Sequence, residues 1–91
     1  MLKDIVAVKA LEDFKLDLQF EDGISGVVHL NELIQFTGVF APLLDPAYFA
    51  QVRVDPDLGT VCWENGADLD PLVLYAHVTG QAITLKQPQL F

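Results

Sequence analysis

The run Cys62-Trp63-Glu64-Asn65-Gly66-Ala67-Asp68-Leu69-Asp70-Pro71-Leu72-Val73-Leu74-Tyr75 does most to restrict the folds open to this chain. It compresses a strand end, a glycine turn, a capped helix start and an apolar helix into one short stretch. Asn65-Gly66 stops the strand, because glycine tolerates the positive φ that a tight turn needs. Asp68 or Asp70 can accept the orphan N–H groups of the following helix, and Pro71 fits its first turn. Residues 72–79 fill that helix, and Gly80 is suited to end it.

Upstream, Phe14, Leu16, Leu18 and Phe20 alternate with Lys15, Asp17, Gln19 and Glu21. A period of two predicts a strand with one dry and one wet face. The apolar, β-branched run Ile5 to Ala10 predicts a strand before it, with Glu12-Asp13 as the turn. Asp22-Gly23 is a hairpin signal, leading into a third strand over Ile24 to Leu30, in which Gly26 marks a bulge or a close approach. Asn31 is placed to cap a short helix over Glu32 to Phe36, with Leu33, Ile34 and Phe36 as its apolar positions and Thr37-Gly38 as its stop. Phe40 to Leu44 reads as an apolar connector, and Asp45-Pro46 starts a second short helix containing Tyr48 and Phe49. Val52 to Asp55 and Thr60 to Trp63 form a second hairpin across the turn Pro56-Asp57-Leu58-Gly59.

Hairpins with helices between them, rather than alternating βαβ units, give an α+β class. The expected architecture is a small antiparallel sheet, a three-stranded meander plus a second hairpin, covered by two or three short helices. Residues 1–80 form a single domain, and 81–91 form a C-terminal tail with the apolar patch Ala82-Ile83-Thr84-Leu85, loosely held.

Composition narrows the function classes. Ninety-one residues hold one small core, yet 52% of them are apolar. Such a surplus points to apolar surface covered by another chain, in a homo-oligomer or with a protein partner. The net charge is -8, from 13 acidic and 5 basic residues, and Lys3, Lys9, Lys15, Arg53 and Lys86 are scattered singly. An acidic field repels phosphate backbones, so direct nucleic-acid binding is not expected, whereas a basic partner protein would be attracted. Cys62 is the only cysteine, which excludes an intrachain disulfide. Asp4 and Lys9 interrupt any signal-peptide pattern and no apolar run is long enough to span a membrane, so a cytoplasmic location is expected.

The residues also resemble a known family. Phe20-Glu21-Asp22-Gly23, Gly26-Val27-Val28-His29-Leu30, Phe40-Ala41-Pro42-Leu43, Phe49 to Val54, Gly59 to Trp63, and Asn65-Gly66-Ala67-Asp68-Leu69-Asp70-Pro71 with Leu74-Tyr75 are similar to the small bacterial proteins called domain of unknown function 2442. The resemblance covers most of residues 1–80. Asp22, Gly23, Trp63, Asn65, Gly66, Asp68, Leu69 and Pro71 are the residues carrying it in the turns and the Trp63–Pro71 stretch. It implies a compact α+β domain. In longer relatives a similar domain precedes a helix-turn-helix segment, for which a chain of this length is expected to lack room. It also implies a neighbouring small protein, in an arrangement similar to toxin–antitoxin pairs. His29 stands where many members carry an acid, and Leu72 where a Glu often follows the proline. The family offers no catalytic residues to carry over.

Candidate chemistry is thin. His29, Cys62 and His77 could ligate a metal by type, but they lack the usual ligand spacings, and neither a metal nor a cofactor is expected. Cys62 lies in an apolar strand and reads as an inert buried thiol, and Ser25, the only serine, has no nucleophile-elbow context. Glu64, Asp68 and Asp70 cluster in sequence and could hold Mg²⁺, although helix capping explains the two aspartates more simply. Two apolar segments exceed what a small core needs. One is the connector with Phe40 and Leu43; the other is the helix with Leu72, Leu74 and Tyr75, apolar on nearly every side. The leading expectation is a non-enzymatic interaction module contacting its partner through these residues. The alternatives are a regulatory domain like that of the helix-turn-helix relatives, and a metal-dependent hydrolase using the 64–70 acids.

Overall fold

Strand β2, Lys15–Phe20, organises the sheet. Leu16, Leu18 and Phe20 are buried while Asp17 and Gln19 are exposed, as the alternation requires. It lies between β1, Ile5–Leu11, and β3, Ser25–His29, and pairs antiparallel with both. The structure, a computed structural model, describes residues 4–80; the expected tail and its Ala82–Leu85 patch lie outside the described residues.

β1 reads as an apolar run without alternation because its register shifts between Ile5 and Ala7. Ile5 opposes Phe20 and is buried, whereas Ala7 opposes Gln19 on the wet face. Val6, between them, is left exposed, as the extra residue of a bulge is. At the β1–β2 turn, Asp13 and Phe14 both have φ of 60°. Phe14 therefore belongs to the turn and not to the strand that its alternation suggested. A bulky side chain in the left-handed region costs about 1–3 kcal/mol and persists only where its surroundings hold it. Here the ring is held between Phe36 and Phe49, at centroid distances of 5.0 and 5.5 Å.

The expected helix over Glu32 to Phe36 does not form. The chain makes a 3-10 turn at Leu30–Glu32, with no side-chain cap, then a longer 3-10 helix at Gly38–Leu44. Gly38 thus begins an element instead of ending one. Asn31, the expected cap, falls inside the 3-10 turn and caps nothing, so a helix this short lacks the terminal hydrogen bond that would help it start. Leu33, Ile34 and Phe36 instead pack singly against the core. Helix α1, Pro46–Phe49, is capped as expected: the Asp45 carboxylate accepts from Ala47 N–H at 3.0 Å.

Strands β4, Arg53–Asp55, and β5, Thr60–Cys62, form a separate two-stranded sheet that packs beside β1. Ile5 N–H donates to the Gly59 carbonyl at 2.9 Å, tying the two sheets together. Helix α2, Pro71–Thr79, closes the domain over β3. Asp70 caps it, accepting from Leu72 N–H at 2.9 Å, and Gly80 ends it at φ 76°. The fold is α+β: a three-stranded antiparallel sheet, a second hairpin and a few short helices. No helix among the described residues is long and apolar enough to cross a membrane.

Gly26 is a close-approach point and not a bulge, since β2–β3 pairing runs through it unbroken. A Cβ there would stand 2.7 Å from Val78 Cγ1. Val78 is β-branched and holds essentially one rotamer in a helix. Gly26→Ala is therefore expected to lower stability by about 1–3 kcal/mol in urea unfolding, as overpacking does. Adding Val78→Ala should recover most of that loss.

Candidate functional site

Helix α2 is apolar because it serves two sides. Leu74 and Ala76 are buried, and Val78 meets β3 at Gly26. The Tyr75 ring stands edge-on to Phe20 at 5.0 Å, and its hydroxyl donates to Asp22 Oδ2 at 2.7 Å. The other side faces a groove of about 240 Å³. Leu33, Ile34 and Phe40 wall it from residues 30–44, the segment holding both 3-10 elements (the 3-10 segment), and Val73 walls it from α2. Leu69 and Leu74, both buried, form its floor, while the exposed Asp68 and Asp70 stand at its rim. Leu72, next to Val73, is 51% exposed.

This placement narrows the apolar set read from the sequence. Leu43 is 0% exposed and Leu74 1%, so both are core residues of this chain and neither offers a partner a free side chain. Leu43 fills the core because its 3-10 helix is folded down onto it, an arrangement that a loop-like reading could not supply. Phe40 and Tyr75 are partly buried. Leu33, Ile34 and Val73, all partly buried, line the groove as well. The spacing of Leu33 and Ile34 suggests a short helix that does not form, and Val73 lies in a run apolar on nearly every side, so neither pattern by itself marks a groove.

The Trp63–Pro71 stretch is the bracket that holds the groove open. Trp63 N–H donates to the Ala67 carbonyl at 2.9 Å, and Gly66, at φ 92°, closes the turn onto the Trp63 carbonyl at 3.0 Å. Cys62 then bridges to Asp68, Leu69 N–H reaches the Val61 carbonyl at 3.3 Å, and the Thr60 hydroxyl donates to the Leu69 carbonyl at 2.5 Å. Residues 67–69 thus run back along β5. Asn65 joins this turn to the helical side: its Nδ2 donates to the Val39 carbonyl at 2.9 Å, its N–H donates to Tyr48 Oη at 3.0 Å, and its Oδ1 accepts from Ala67 N–H at 3.1 Å. Gly23, at φ 91°, and Asp22, whose Oδ1 accepts from Ile24 N–H at 3.0 Å, build the β2–β3 turn. Pro71 opens α2.

Neighbours in sequence do not converge in space. Among the described residues no three of His, Cys, Asp and Glu are grouped to hold a metal ion, so Glu64, Asp68 and Asp70 do not form the cluster that a metal-dependent hydrolase would need. Asp70 is the cap, and Asp68 extends along β5 through its backbone. Cys62 is buried, and His29 and His77 are exposed on different elements. A second groove, of about 530 Å³, lies between the β1–β2 turn and α1, with Phe14 and Phe49 in its wall and Glu12 and Asp13 beside them.

A family model described as protein of unknown function (DUF2442) matches residues 5–80. The chain belongs to that family. No curated protein and no solved structure matches it.

Two measurements check this geometry. Asn65→Ala removes the donor to Val39 and the acceptor for Ala67, and each such bond contributes about 1 kcal/mol, so chemical unfolding should show a loss of about 2 kcal/mol. The Tyr75 phenol is raised from its ordinary value of 10.0, first by its hydrogen bond to Asp22, then by partial desolvation and by the nearby negative charge. A raised phenol favours the folded state while protonated. Its contribution is thus complete below the ordinary value and is lost as pH rises through the higher folded one. Ultraviolet titration should place Tyr75 above 10, and Asp22→Asn should return it toward that value.

Proposed function

We propose that this chain is a non-enzymatic protein-interaction module whose contact surface is the groove between the 3-10 segment and α2. The observation that carries the reading is the apolar groove itself, walled by Leu33, Ile34, Phe40 and Val73, with Leu72 half exposed at the start of the same helix as Val73. Apolar surface of this kind gains from being removed from water by another chain. The carboxylates support the same reading by being used for backbone work. Asp22, Asp45, Asp55 and Asp70 each accept from backbone N–H groups at turns and helix starts. The acidic field disfavours nucleic acid as a direct ligand. The family resemblance suggests a pairing similar to toxin–antitoxin systems.

Photo-crosslinking in the producing cell tests this. Benzoylphenylalanine at position 72 or at position 40 should yield one dominant protein adduct. The same probe at position 58, equally exposed but on the β4–β5 turn, should not. Equal adducts at all three positions, or none at 72 and 40, would remove the groove as a contact surface.

A further inference from the structure

The charge around the groove specifies its occupant. All 13 acidic residues lie within the described residues, against Lys9, Lys15 and Arg53 as the described Lys and Arg side chains. Lys9 and Lys15 stand in β1 and β2, where Lys9 opposes Asp17 and Lys15 opposes His29. Arg53 is in β4. None of the three lines the groove, whose charged groups are Asp68 and Asp70. We infer that the groove takes a basic amphipathic helix, its apolar side chains entering between Phe40 and Val73 and its Lys or Arg side chains meeting Asp68 and Asp70. This inference rests on the interaction-module reading and names the partner's chemistry.

A second copy of this chain fits worse. A two-fold axis over the groove would bring Asp68 and Asp70 toward their own counterparts, and like charges at an interface are costly. A neutral apolar segment would fill the walls but leave the negative charge of the two carboxylates at the rim unbalanced. A helix with apolar anchors about a turn apart and cations flanking them satisfies both features. The net charge of -8 adds long-range steering of such a segment, which weakens as salt shortens the Debye length.

The test uses two synthetic amphipathic helices on the full chain, one of leucine and lysine and one of leucine and glutamate, followed by fluorescence anisotropy. The lysine peptide should bind and the glutamate peptide should not. The double variant Asp68→Asn/Asp70→Asn keeps a good helix cap, since Asn serves there as well as Asp. It should weaken lysine-peptide binding about tenfold, the scale of two exposed ion pairs. The matched control Glu12→Gln/Asp13→Asn removes the same charge beside the other groove and should change binding less than about twofold, as only the field is altered. Equal weakening by both doubles would show unspecific attraction, and weakening by the control alone would move the site to the other groove; either result overturns the inference. Preferential binding of the glutamate peptide would overturn the partner's charge while leaving the module reading intact. Crosslinking at 72 and 40 without lysine-peptide binding would separate the two in the same way.

Discussion

The burial of Trp63 holds the rest in place. Its indole is 1% exposed and leans against Phe49 at a centroid distance of 6.0 Å, and Nε1–H donates to the Phe49 carbonyl at 3.0 Å. That bond satisfies a donor that would otherwise be costly to bury, and it fastens the hairpin side of the molecule to the end of α1. Phe49 in turn supports the left-handed Phe14, so one indole sets the position of α1 and, through it, of the strained β1–β2 turn. Asn65, two residues beyond, fastens the same turn to Val39 and Tyr48. The 3-10 segment is thereby held against the hairpin, and the gap left between it and α2 is the groove.

The acidic residues and the apolar surplus answer different needs. Asp22, Asp45, Asp55 and Asp70 satisfy local N–H groups where turns and helices begin, which is why so many carboxylates produce no clustered site. The apolar surplus divides in two. Leu43 and Leu74 fill the core, while Phe40 and Val73 wall a groove that is left open among the described residues, and Leu72 is exposed at the start of α2. A small domain has too little interior for every side of α2. The two groups of residues meet at the groove, where Asp68 and Asp70 stand beside its apolar walls.

Much of the architecture was legible in the chain. The β2 alternation, the two hairpin turns, the caps Asp45 and Asp70 and the terminating Gly80 are local signals, and each was realised. The failures are where tertiary packing overrides local pattern. Leu33, Ile34 and Phe36 carry helical spacing but are pulled one by one onto the core, leaving a 3-10 turn. Phe14 keeps the parity of β2 yet is drawn into a positive-φ turn by two aromatic rings. The β1 bulge hides an alternation that pairing alone reveals. At the surface, sequence pattern marked Phe40 and Leu72 but could not separate them from Leu43 and Leu74. All four are apolar, and only the fold decides which of them the core consumes.

The central claim is that the isolated chain leaves this groove uncovered. Paramagnetic relaxation of methyl groups by a soluble probe measures it directly. In the monomer, the methyls of Leu72, Val73 and Ile34 should relax strongly, and those of Leu43 and Leu74 should be shielded. If Leu72 and Val73 prove as shielded as Leu74 in a chain shown to be monomeric, the molecule covers its own groove and the account of a surface built for a partner is contradicted.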